Sequence, residues 1–538
     1  MVQSELKKQF SHMNNMQQQA VFCTEGPLLI LAGAGSGKTT VLVNRIAYIL
    51  QSELCKPWQI LAITFTNKAA GELKERICNA VPEGGSDIWA ATFHSTCARI
   101  LRRYGDRIGF TSHFTVYGTD DQKKLVKDIL KQLNYDEKML PVKRVLNEIS
   151  KAKDEMLTPQ EMLKRAGYDN LKQSVAKVYE IYQSRLKTAD AMDFDDMLCK
   201  TVELFQKCPD ILEFYQNQFK YIMVDEYQDT NTVQFRFVSL LAAKYRNLCV
   251  VGDDDQSIYK FRGANIENIL SFEHVFPDAK VIKLEQNYRS TQTIVRAANS
   301  LIEKNQWQIR KEVFSEKEKG EAIGVYQAYS DVEEGDIVVN KIAELRREKR
   351  YAYSDFAILY RTNAQSRIFE EAMRKRSMPY RIYGGLSFYQ RKEIKDVIAY
   401  FRLAVNPNDE EAFKRVINYP ARGIGNTTLN KIIDAANVHR VSLWKVLNEP
   451  LTYGVSLTKG THTKLQAFRD LIAGFVEAVS HTGAYELGKD IVRQSGIIND
   501  IYQDRSPENL SRQENIEELI NGMHDFCAGR EEEGNTHI

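Results

Sequence analysis

A loop of small residues near the N-terminus ends in a lysine and a threonine that could bind a nucleotide. The apolar run GPLLILAG (residues 26–33) leads into AGAGSGKT (residues 32–39), and a helical pattern follows from Lys38 to Leu50. Strand, glycine-rich loop and helix in this order are typical of a P-loop, whose backbone N–H groups close on phosphate oxygens at the positive end of a helix. Lys38 would then reach the β- and γ-phosphates, and the Thr39 hydroxyl would ligate Mg²⁺.

The loop departs from the general P-loop pattern at its first position. That pattern begins with glycine, whereas this chain has Ala32 there. A methyl group at this position is tolerable if the backbone φ angle stays negative. A glycine-rich structural turn is the alternative interpretation of the same residues.

Two acidic residues at the end of another apolar run could hold the metal. YIMVDE (residues 221–226) predicts a buried strand that delivers Asp225 and Glu226 to the carboxyl edge of the sheet, where open α/β sheets bind ligands. Asp225 would hold Mg²⁺ through water, and Glu226 would polarise the attacking water. These groups suffice for hydrolysis because phosphoryl transfer depends mainly on positioning and charge neutralisation. Alone, two acids at a strand end are a weak signal, and the P-loop strengthens it.

The elements that must position these groups alternate between short apolar runs and amphipathic stretches. Strands are predicted over residues 26–33, 59–66, 88–94, 221–226 and 247–253, and helices from Lys38 to Leu50 and from Asn67 to Ala80. Such alternation implies parallel crossovers and an α/β sheet. The charged stretch from Thr119 to Asp190 is predicted to be a helical insertion into this first α/β domain.

A second α/β region is predicted to begin near Ala279. Its strand candidates are AKVIKL (residues 279–284), EAIGVYQAY (residues 321–329) and DFAILYR (residues 355–361). From about Arg391 the pattern becomes helical again and remains so to the C-terminus.

Composition limits the kinds of protein that this chain can be. Of its 538 residues, 43% are hydrophobic and 27% charged, which excludes a mostly disordered chain or a fibre and predicts about three to five compact units. With 73 Lys and Arg against 71 Asp and Glu, the net charge of +2 leaves nucleic-acid binding to local basic patches. The longest apolar stretch near the N-terminus, Pro27 to Ala34, is far too short to span a bilayer, and the first residues lack the core of a secretory signal. Eight cysteines without a Cys-x-x-Cys pair predict reduced thiols and a cytoplasmic protein.

Several further segments share the pattern of one known family. In chain order they are TFTNKAA (residues 64–70), TFHS (92–95), DEYQDT (225–230), GDDDQSIY (252–259), FRGA (261–264) and NYRS (287–290). Together they resemble the superfamily 1A DNA helicases of the UvrD/PcrA/Rep type, and the resemblance covers most of the first 430 residues.

The resemblance implies an α/β fold with two RecA-like parallel-sheet motor domains, the second incomplete, and two helical insertion subdomains. The implied boundaries are residues 1–118 with 189–279 for the ATP-binding motor domain 1A, 119–188 for helical subdomain 1B, 280–389 for motor domain 2A, and 390–538 for helical subdomain 2B.

It also implies roles at the nucleotide. Gln17 would bond the adenine edge, Tyr288 would stack on adenine, Arg289 would act as an in-cis arginine finger, and Gln256 would sense the γ-phosphate. Lys38, Asp225, Glu226, Gln256 and Arg289 form the implied catalytic set. The implied nucleotide-binding set is Asn14, Gln17, Ala32, Gly33, Ala34, Gly35, Ser36, Gly37, Lys38, Thr39, Thr40, Tyr288 and Arg289, with Thr39 and Asp225 holding the metal.

DNA contacts are implied as well. Phe65, Tyr259 and Phe261 would stack on bases, which tolerates any base sequence. The family usually has tryptophan where this chain has Phe261, and the smaller ring should stack less well; the alternative is that these aromatic residues belong to the core. The remaining implied DNA-binding residues are Asn67, Lys68, Phe93, His94, Arg262, Arg361 and Asn363, together with Arg422, Gly423 and Gly425 of a Gly-Ile-Gly element that could also be a tight turn between helices.

Two motifs of the family's second motor domain are not found in residues 389–538. One is Thr-x-His-x-x-Lys-Gly-x-Glu, which LTKGTHTKLQ (residues 457–466) resembles only superficially, and the other supplies a second arginine finger. We therefore expect a C-terminally truncated chain that binds ATP and Mg²⁺ but unwinds DNA poorly or not at all.

The implied function is that of an ATP-dependent helicase and single-stranded DNA translocase of 3′→5′ polarity in DNA repair or replication. ATP and Mg²⁺ are the implied cofactors, and single-stranded DNA and single-strand/double-strand junctions are the implied partners. Accessory repair or replication proteins are further candidates, and a membrane is not. Two alternatives remain: a DNA- or protein-binding module for which nucleotide is only a structural ligand, and the motor part of a helicase–nuclease.

Overall fold

The computed structural model describes residues 6–260, 263–306, 308–362, 365–383, 388–502 and 507–532. The chain divides into two compact units. The first comprises residues 1–321 with 402–477, and the second comprises residues 322–401 with 478–538. The implied division into four subdomains stays a prediction.

A six-stranded parallel sheet organises the first unit, and its strand order is β3-β2-β6-β7-β1-β8. The strands are β1 (Leu28–Ala32), β2 (Ile60–Thr64), β3 (Trp89–Thr92), β6 (Tyr221–Val224), β7 (Leu248–Gly252) and β8 (Lys280–Leu284), while β4 (Thr115–Tyr117) and β5 (Ala191–Asp193) form a separate parallel pair. β1, β2, β6 and β7 are buried along their whole length, as their uninterrupted apolar runs require. The predicted α/β fold with a parallel sheet is confirmed.

β8 corrects the predicted start of a second α/β region. It pairs with β1 in parallel register, from Leu28 opposite Lys280 to Ala32 opposite Leu284, and so completes the first sheet. The sequence could not show this, because an apolar strand carries no mark of the strand with which it pairs.

Most helices before residue 303 either pack on the six-stranded sheet or belong to the insertion. In chain order up to residue 302 they are α1 (Asn15–Phe22), α2 (Lys38–Gln51), α3 (Asn67–Ala80), α4 (Phe93–Tyr104), α5 (Thr119–Gln132), α6 (Val142–Asp154), α7 (Pro159–Ala166), α8 (Asn170–Thr188), α9 (Phe194–Lys207), α10 (Pro209–Gln218), α11 (Thr232–Ala242), α12 (Glu267–Leu270), α13 (Phe272–Val275) and α14 (Gln292–Ile302). Helices α5 to α8 form the predicted insertion, which is framed by β4 and β5 and has its own apolar core.

The remaining helices follow residue 330, and the helical pattern predicted from Arg391 onward is confirmed within the described residues. They are α15 (Asp331–Lys349), α16 (Ser366–Lys375), α17 (Lys392–Val405), α18 (Glu410–Val416), α19 (Asn426–His439), α20 (Leu443–Asn448), α21 (Lys459–Ala478), α22 (Ala484–Gln494), α23 (Ile497–Ile501) and α24 (Pro507–Glu532).

Two predicted strands, residues 321–329 and 355–361, are wrong. Both segments lie within the described residues and neither forms a strand. A strand needs a neighbour for its backbone hydrogen bonds, and no strand in the described part of the chain pairs with either segment. Their apolar side chains accordingly stay in solvent, with Val325, Tyr329 and Leu359 almost fully exposed.

Among the described residues, no helix combines the length and the apolar character that crossing a membrane requires.

Candidate functional site

The P-loop joins β1 to α2 through a tight turn. Gly35 and Gly37 have φ angles of 66° and 81°, a left-handed conformation that glycine adopts without steric cost. The Gly33 amide donates a hydrogen bond to the Leu284 carbonyl at 2.9 Å, which anchors the start of the loop to β8. Ala32 is the last residue of β1 and is not among the described residues with positive φ, so the condition for tolerating its methyl group is met.

The loop has features that fit a bound phosphate. The Ser36 side chain is buried, and its hydroxyl oxygen has no hydrogen-bond partner among the described residues. An unpaired buried hydroxyl is costly and requires an explanation, which a phosphate oxygen would provide. Lys38 and Thr39 lie half-buried in the first turn of α2, whereas Ala34 and Thr40 are exposed. Backbone amides at this helix N-terminus would face the same ligand.

The residues predicted to read adenine lie against the P-loop. Asn14 and Gln17 cap α1 reciprocally, with the Gln17 amide 2.8 Å from Asn14 Oδ1 and the Asn14 amide 3.1 Å from Gln17 Oε1. Gln17 is buried, and its Nε2 donates to the Ser36 carbonyl at 3.0 Å. Asn14 Nδ2 donates to the Tyr288 hydroxyl at 2.7 Å. The structure therefore brings these three residues together, and their contact with adenine stays a prediction.

The two predicted catalytic acids lie at the carboxyl edge of the sheet. The Asp225 amide donates to the Ile63 carbonyl at 2.9 Å and extends the ladder between β6 and β2. Glu226 follows with a φ angle of 49°, a strained conformation that persists in residues other than glycine only where the surroundings hold it. Its Oε2 lies 3.4 Å from Lys38 Nζ, so the acidic pair and the P-loop meet.

The environment of the Asp225 and Asp229 carboxyl groups favours their protonated form. Burial raises the pKa of Asp225 to about 6, with a further contribution from the charge of Glu226, while Lys38 acts in the opposite direction. Burial and Glu226 also raise the pKa of Asp229 to about 6. A divalent cation would reverse this balance by favouring the ionised carboxylates.

Thr39 and Asp225 are the residues predicted to hold Mg²⁺. Their chain neighbours, Lys38 and Glu226, are in contact, which places both at one edge of the sheet. A hydroxyl and a carboxylate are oxygen ligands of the kind that Mg²⁺ prefers, and Mg²⁺ usually keeps several waters besides. The residues present therefore fit the ion, and the pairing itself stays a prediction.

Gln228 is a site residue that sequence reasoning did not single out. It is buried, its Nε2 donates to Glu226 Oε2 at 2.8 Å, and its Oε1 accepts from the Asp253 amide at 3.0 Å. Gln256, predicted to sense the γ-phosphate, is exposed at the end of the short 3₁₀ helix Asp254–Gln256 and donates to Asp253 Oδ2 at 2.6 Å. The available signal for Gln228 was its place inside the DEYQDT box.

The NYRS segment follows β8 and is tied to the P-loop. Asn287 Nδ2 donates to the Ala34 carbonyl at 2.6 Å, and the Tyr288 amide donates to the Gly35 carbonyl at 2.9 Å. Asn287 Oδ1 also accepts from the Arg289 amide at 2.9 Å. Arg289 itself is exposed, so the predicted arginine finger emerges from a backbone anchored on the phosphate loop.

Three residues predicted to contact DNA follow β2. The Thr66 hydroxyl caps α3, which places Phe65 in the short connection between strand and helix. Phe65 is half-buried and its ring packs edge-on against Phe93, with 5.5 Å between ring centroids. Asn67 and Lys68 are exposed on the first turn of α3.

Phe93 corrects both a strand prediction and a predicted DNA contact. Residues 88–94 were predicted as a strand, but β3 ends at Thr92 and α4 begins at Phe93, because the Thr92 hydroxyl caps the helix. The Phe93 side chain is 1% exposed and belongs to the core, so in this structure it offers no surface to DNA and instead supports Phe65.

His94 lies half-buried on the same turn, where burial lowers its pKa. Its ring packs edge-on against that of Phe194, with 5.7 Å between centroids. Phe194 is 47% exposed and was not singled out from the sequence, although an aromatic residue directly after a short strand was an available signal. Its half-exposed ring could stack on a base.

The other predicted DNA-binding residues are spread along the chain. Tyr259 is 39% exposed beyond the 3₁₀ helix that follows β7. Phe261, Arg262 and Asn363 lie outside the described residues, so their contacts stay predictions. Arg361 belongs to the second unit, where it is exposed and its amide donates to a glutamine side chain at 2.9 Å.

Arg422, Gly423 and Gly425 form the turn between α18 and α19. Arg422 Nη1 donates to the carbonyls of Val416 at 3.0 Å and Pro420 at 3.2 Å, which favours the structural alternative for this residue. Gly423 needs its left-handed φ angle of 69°, and Gly425 is exposed as the N-terminal cap of α19. Contact of the two glycines with DNA stays a prediction.

Two family models match consecutive parts of the chain. The UvrD/REP helicase N-terminal domain matches residues 13–277, and the UvrD-like helicase C-terminal domain matches residues 282–537. Because a C-terminal domain is matched, the expectation of a C-terminally truncated chain is not borne out.

Curated relatives of high similarity share one name. The chain is 46% identical over 518 residues to the ATP-dependent DNA helicase PcrA of Bacillus subtilis (strain 168), an alignment that covers 96% of this chain and 69% of that protein. It is 45% identical over 516 residues to the proteins of the same name in Staphylococcus aureus (strain Mu50) and Leuconostoc citreum, again over 96% of this chain and over 70% and 68% of theirs. Domain matches and relatives therefore agree with the ordered motifs around the phosphate loop, and the chain belongs to the UvrD/PcrA-type helicase family.

Proposed function

We propose that the chain is an ATP-driven DNA helicase that moves along single-stranded DNA and unwinds duplexes with 3′→5′ polarity. The observation that carries the proposal is the 3.4 Å contact between Lys38 Nζ and Glu226 Oε2, because it joins a phosphate-binding lysine to the acid that would activate water. The curated relatives, which are named ATP-dependent DNA helicases, support the same activity, and the polarity is supported by family membership alone.

The residues of the site suggest how nucleotide binding would start the reaction. Phosphate oxygens would compete with Glu226 for the Lys38 ammonium group and so release the carboxylate. Glu226 would stay oriented because Gln228 Nε2 still donates to its Oε2 at 2.8 Å. The released carboxylate could then accept a proton from the attacking water, as a general base.

Charge neutralisation would come from groups already close to the phosphates. Mg²⁺, held by Thr39 and Asp225, would polarise the phosphate oxygens. Arg289, on a backbone tied to the P-loop through Asn287, would neutralise charge that develops on the γ-phosphate. Gln256 would report the γ-phosphate to the DNA-binding loops through its bond to Asp253.

Exposed and half-exposed aromatic rings near the same sheet edge suggest how DNA is held. Phe65, Phe194 and Tyr259 present partial ring surfaces. Base stacking contributes about 1–3 kcal/mol per base and does not depend on sequence, which suits a motor that moves over any DNA. Single-strand/double-strand junctions and accessory repair or replication proteins are the proposed partners. The eight free cysteines support a cytoplasmic location.

The test is ATP hydrolysis by the purified chain with and without an oligothymidylate, together with displacement of a labelled strand from duplexes that carry a 3′ or a 5′ single-stranded tail. We expect DNA to stimulate hydrolysis and the 3′-tailed duplex to be unwound. Hydrolysis that ignores DNA would contradict the motor and favour the binding module. Unwinding only of the 5′-tailed duplex would contradict the polarity.

Glu226→Gln tests the water-activating role. We expect hydrolysis to fall about 100-fold or more, because a general base is lost, while nucleotide binding persists. The measurements are the steady-state turnover number and the affinity for a fluorescent nucleotide.

The matched control for this substitution is Glu25→Gln. Glu25 accepts from the Tyr221 hydroxyl at 2.6 Å, at the opposite end of β6, and its substitution should leave turnover unchanged. Normal hydrolysis by Glu226→Gln would show that another group activates the water.

A further inference from the structure

Lys311 lies outside every motif of the sequence and is one of the most deeply buried charges in the described chain. Its side chain is 2% exposed. The ammonium nitrogen lies 3.0 Å from Asp253 Oδ1, 2.7 Å from Asp254 Oδ1 and 2.6 Å from Asp255 Oδ2. One cation therefore binds three consecutive carboxylates of the GDDDQSIY segment.

The positive charge of Lys311 compensates the negative charges of the three carboxylates in this turn. The three carboxylate oxygens lie within 4.8 Å of one another, a spacing that a cation must stabilise when the groups are buried. A divalent metal would suit such a cluster, but the Lys311 ammonium already holds one oxygen of each carboxylate. Burial raises the pKa of Asp255, and the hydrogen bond and charge of Lys311 act in the opposite direction.

The segment that carries Lys311 is fastened to the same turn by its backbone. The Ile309 amide donates to Asp254 Oδ2 at 2.7 Å, so Asp254 receives one bond from the backbone and one from the lysine. The Arg310 carbonyl accepts from Lys283 Nζ at 2.6 Å, which ties the segment to β8 as well. The ammonium group is therefore held at a fixed place relative to the sheet.

Lys311 is connected through Asp253 to Gln256, the predicted γ-phosphate sensor. Asp253 binds Lys311 with Oδ1 and accepts from Gln256 Nε2 with Oδ2, at 2.6 Å. The Asp253 amide donates to Gln228 Oε1, and Gln228 holds Glu226. Asp253 is thus the point through which Lys311 could orient both Gln256 and, by way of Gln228, the proposed general base.

We propose that Lys311 is a positioning residue for ATP hydrolysis. Its ammonium group is an internal cation that fixes the Asp253–Asp255 turn and, through Asp253, the orientation of the Gln256 side chain. This inference rests on the proposed function, since it gives Gln256 its role at the γ-phosphate. It also assigns the acidic turn to a protein cation and leaves the predicted Mg²⁺ to Thr39 and Asp225.

The experiment compares Lys311→Met with Lys283→Met in the full chain. Methionine keeps the length and apolar stem of lysine and removes the charge. Lys283 is the matched control because its ammonium also fastens the 309–311 segment, through the Arg310 carbonyl, and no carboxylate contact with it is seen in the described residues. Three quantities are measured: the kcat and KM of DNA-stimulated ATP hydrolysis, the thermal midpoint, and hydrogen–deuterium exchange of the peptide that covers residues 252–258.

For Lys311→Met we expect faster exchange in residues 252–258 and a kcat lower by about 10- to 100-fold, because small misplacements of a catalytic group have effects of this size. The KM for ATP should change far less than kcat, since the adenine and P-loop contacts remain. Lys283→Met should keep both the protection and kcat of the unaltered chain. Wild-type protection and kcat in Lys311→Met would overturn the proposal.

The route through Gln256 is tested by adding Gln256→Ala. If Lys311 acts through Gln256, the double variant should hydrolyse ATP hardly more slowly than Gln256→Ala alone. An equal proportional loss in both backgrounds would overturn the proposal, because Lys311 would then act by a route that does not include Gln256.

A replacement variant and the hydrogen-exchange measurement cover the cases in which Lys311→Met does not fold or the unaltered chain is inactive. Should Lys311→Met not fold, Lys311→Met with Asp254→Asn replaces it, because the pair keeps the net charge of the cluster and the same expectations apply. If the unaltered chain hydrolyses no ATP, the proposed function fails, whereas hydrogen exchange still decides whether Lys311 fixes the turn.

Discussion

Asn287 shows how a residue without chemistry of its own determines where reactive groups lie. Its amide nitrogen reaches the Ala34 carbonyl of the P-loop, and its oxygen accepts from the backbone of Arg289. The neighbouring Tyr288 and Arg289 are the residues with predicted roles at the nucleotide. Their positions, however, depend on the asparagine between the loop and the segment.

We expect Asn287→Ala to weaken nucleotide binding about 10-fold, because hydrogen bonds that join the two segments are lost. Titration with a fluorescent nucleotide measures the effect. Asn299→Ala is the matched control, since Asn299 Nδ2 also donates to a backbone carbonyl, that of Val313 at 2.7 Å. Unchanged affinity in Asn287→Ala would show that the backbone contact of Tyr288 suffices.

Asp225 should couple nucleotide binding to pH. Burial and the charge of Glu226 raise its pKa to about 6, so the nucleotide-free chain holds a proton there below that pH. Mg²⁺ needs the carboxylate, and binding must therefore expel the proton. We expect the affinity for ATP with Mg²⁺ to fall as the pH falls through about 6, and the number of protons released on binding to increase over the same range.

Isothermal titration calorimetry in buffers of different ionisation enthalpy counts these protons. Asp225→Asn should remove the release that Asp225 contributes. Asp229→Asn is the comparison, because the pKa of Asp229 is also raised to about 6 but this residue is not a predicted metal ligand. Proton release that persists in Asp225→Asn and vanishes in Asp229→Asn would reverse the assignment.

At the scale of the element, the P-loop turn requires glycine for two separable reasons. Gly35 has a left-handed φ angle of 66°, and a methyl group there would also lie 2.7 Å from Asn287 Nδ2 and 2.9 Å from Arg289 Cβ. Gly26 has a similar φ angle of 79°, but a methyl group there would meet open space. Substitution by alanine would therefore strain the backbone at both positions, but only at Gly35 would the new methyl group collide with other residues.

We expect Gly26→Ala to lower the free energy of unfolding by about 1 kcal/mol, the cost of the left-handed conformation, and to leave nucleotide binding intact. Gly35→Ala should lose more stability and should also lose nucleotide affinity, since it displaces Asn287. Chemical denaturation and nucleotide titration measure the two effects. Equal behaviour of the two variants would show that the collision is relieved without consequence for the site.

The elements that the sequence predicts well are those whose signal is local. β1 and β6 are continuous apolar runs, and α3 begins and ends at the predicted residues, with Thr66 as its N-terminal cap. Partnership between distant strands has no local signal, which is why β8 was assigned to the wrong sheet and residues 321–329 were predicted as a strand that finds no neighbour.

The same distinction holds within the site. The phosphate loop and the acidic pair could be predicted because their residue types and spacing are set by chemistry. Phe93 was misplaced because an aromatic residue at a strand end resembles a DNA-facing one, although the helix that begins there turns it inward. Lys311 could not have been found, because an ordinary lysine acquires its role only from three carboxylates more than fifty residues away.

At the scale of the whole first unit, buried charges join the helical insertion to the segment 402–477. Arg185 pairs with Glu410, and Lys414 lies 2.7 Å from Asp128 and also pairs with Glu411. Burial would raise the pKa of Glu410, but Lys414 and Arg185 outweigh it and lower the pKa to about 2. For Glu411, burial prevails and raises the pKa to about 7.

Neighbouring glutamates should therefore affect stability with opposite signs. The folded chain keeps Glu411 protonated between its ordinary pKa of 4.5 and about 7, whereas the unfolded chain does not, so the free energy of unfolding should fall as pH rises through this interval. Glu410 stabilises the fold above pH 4.5, and that contribution is lost as pH falls towards about 2.

Glu411→Gln should flatten the decline between pH 4.5 and 7, measured by urea denaturation at several pH values. Glu477→Gln, in the same unit, serves as the control because Glu477 is not among the charges that shift the pKa of Glu410 or Glu411, and it should keep the slope of the unaltered chain. A slope unchanged in Glu411→Gln would assign the pH dependence to other buried carboxyls, of which Asp154, with a pKa raised to about 7, is the first to test.

The position of β8 at the margin of the main sheet also determines where the chain can be divided. A fragment that stops at residue 279 would strip β1 of one neighbour and leave a row of unsatisfied amides and carbonyls on its most apolar strand, which invites pairing between molecules. It would lack the Leu284 carbonyl that receives the Gly33 amide as well. A fragment that extends to residue 321 would retain β8, together with Arg289 and Lys311. We expect this longer fragment to remain monomeric under conditions in which the shorter fragment aggregates.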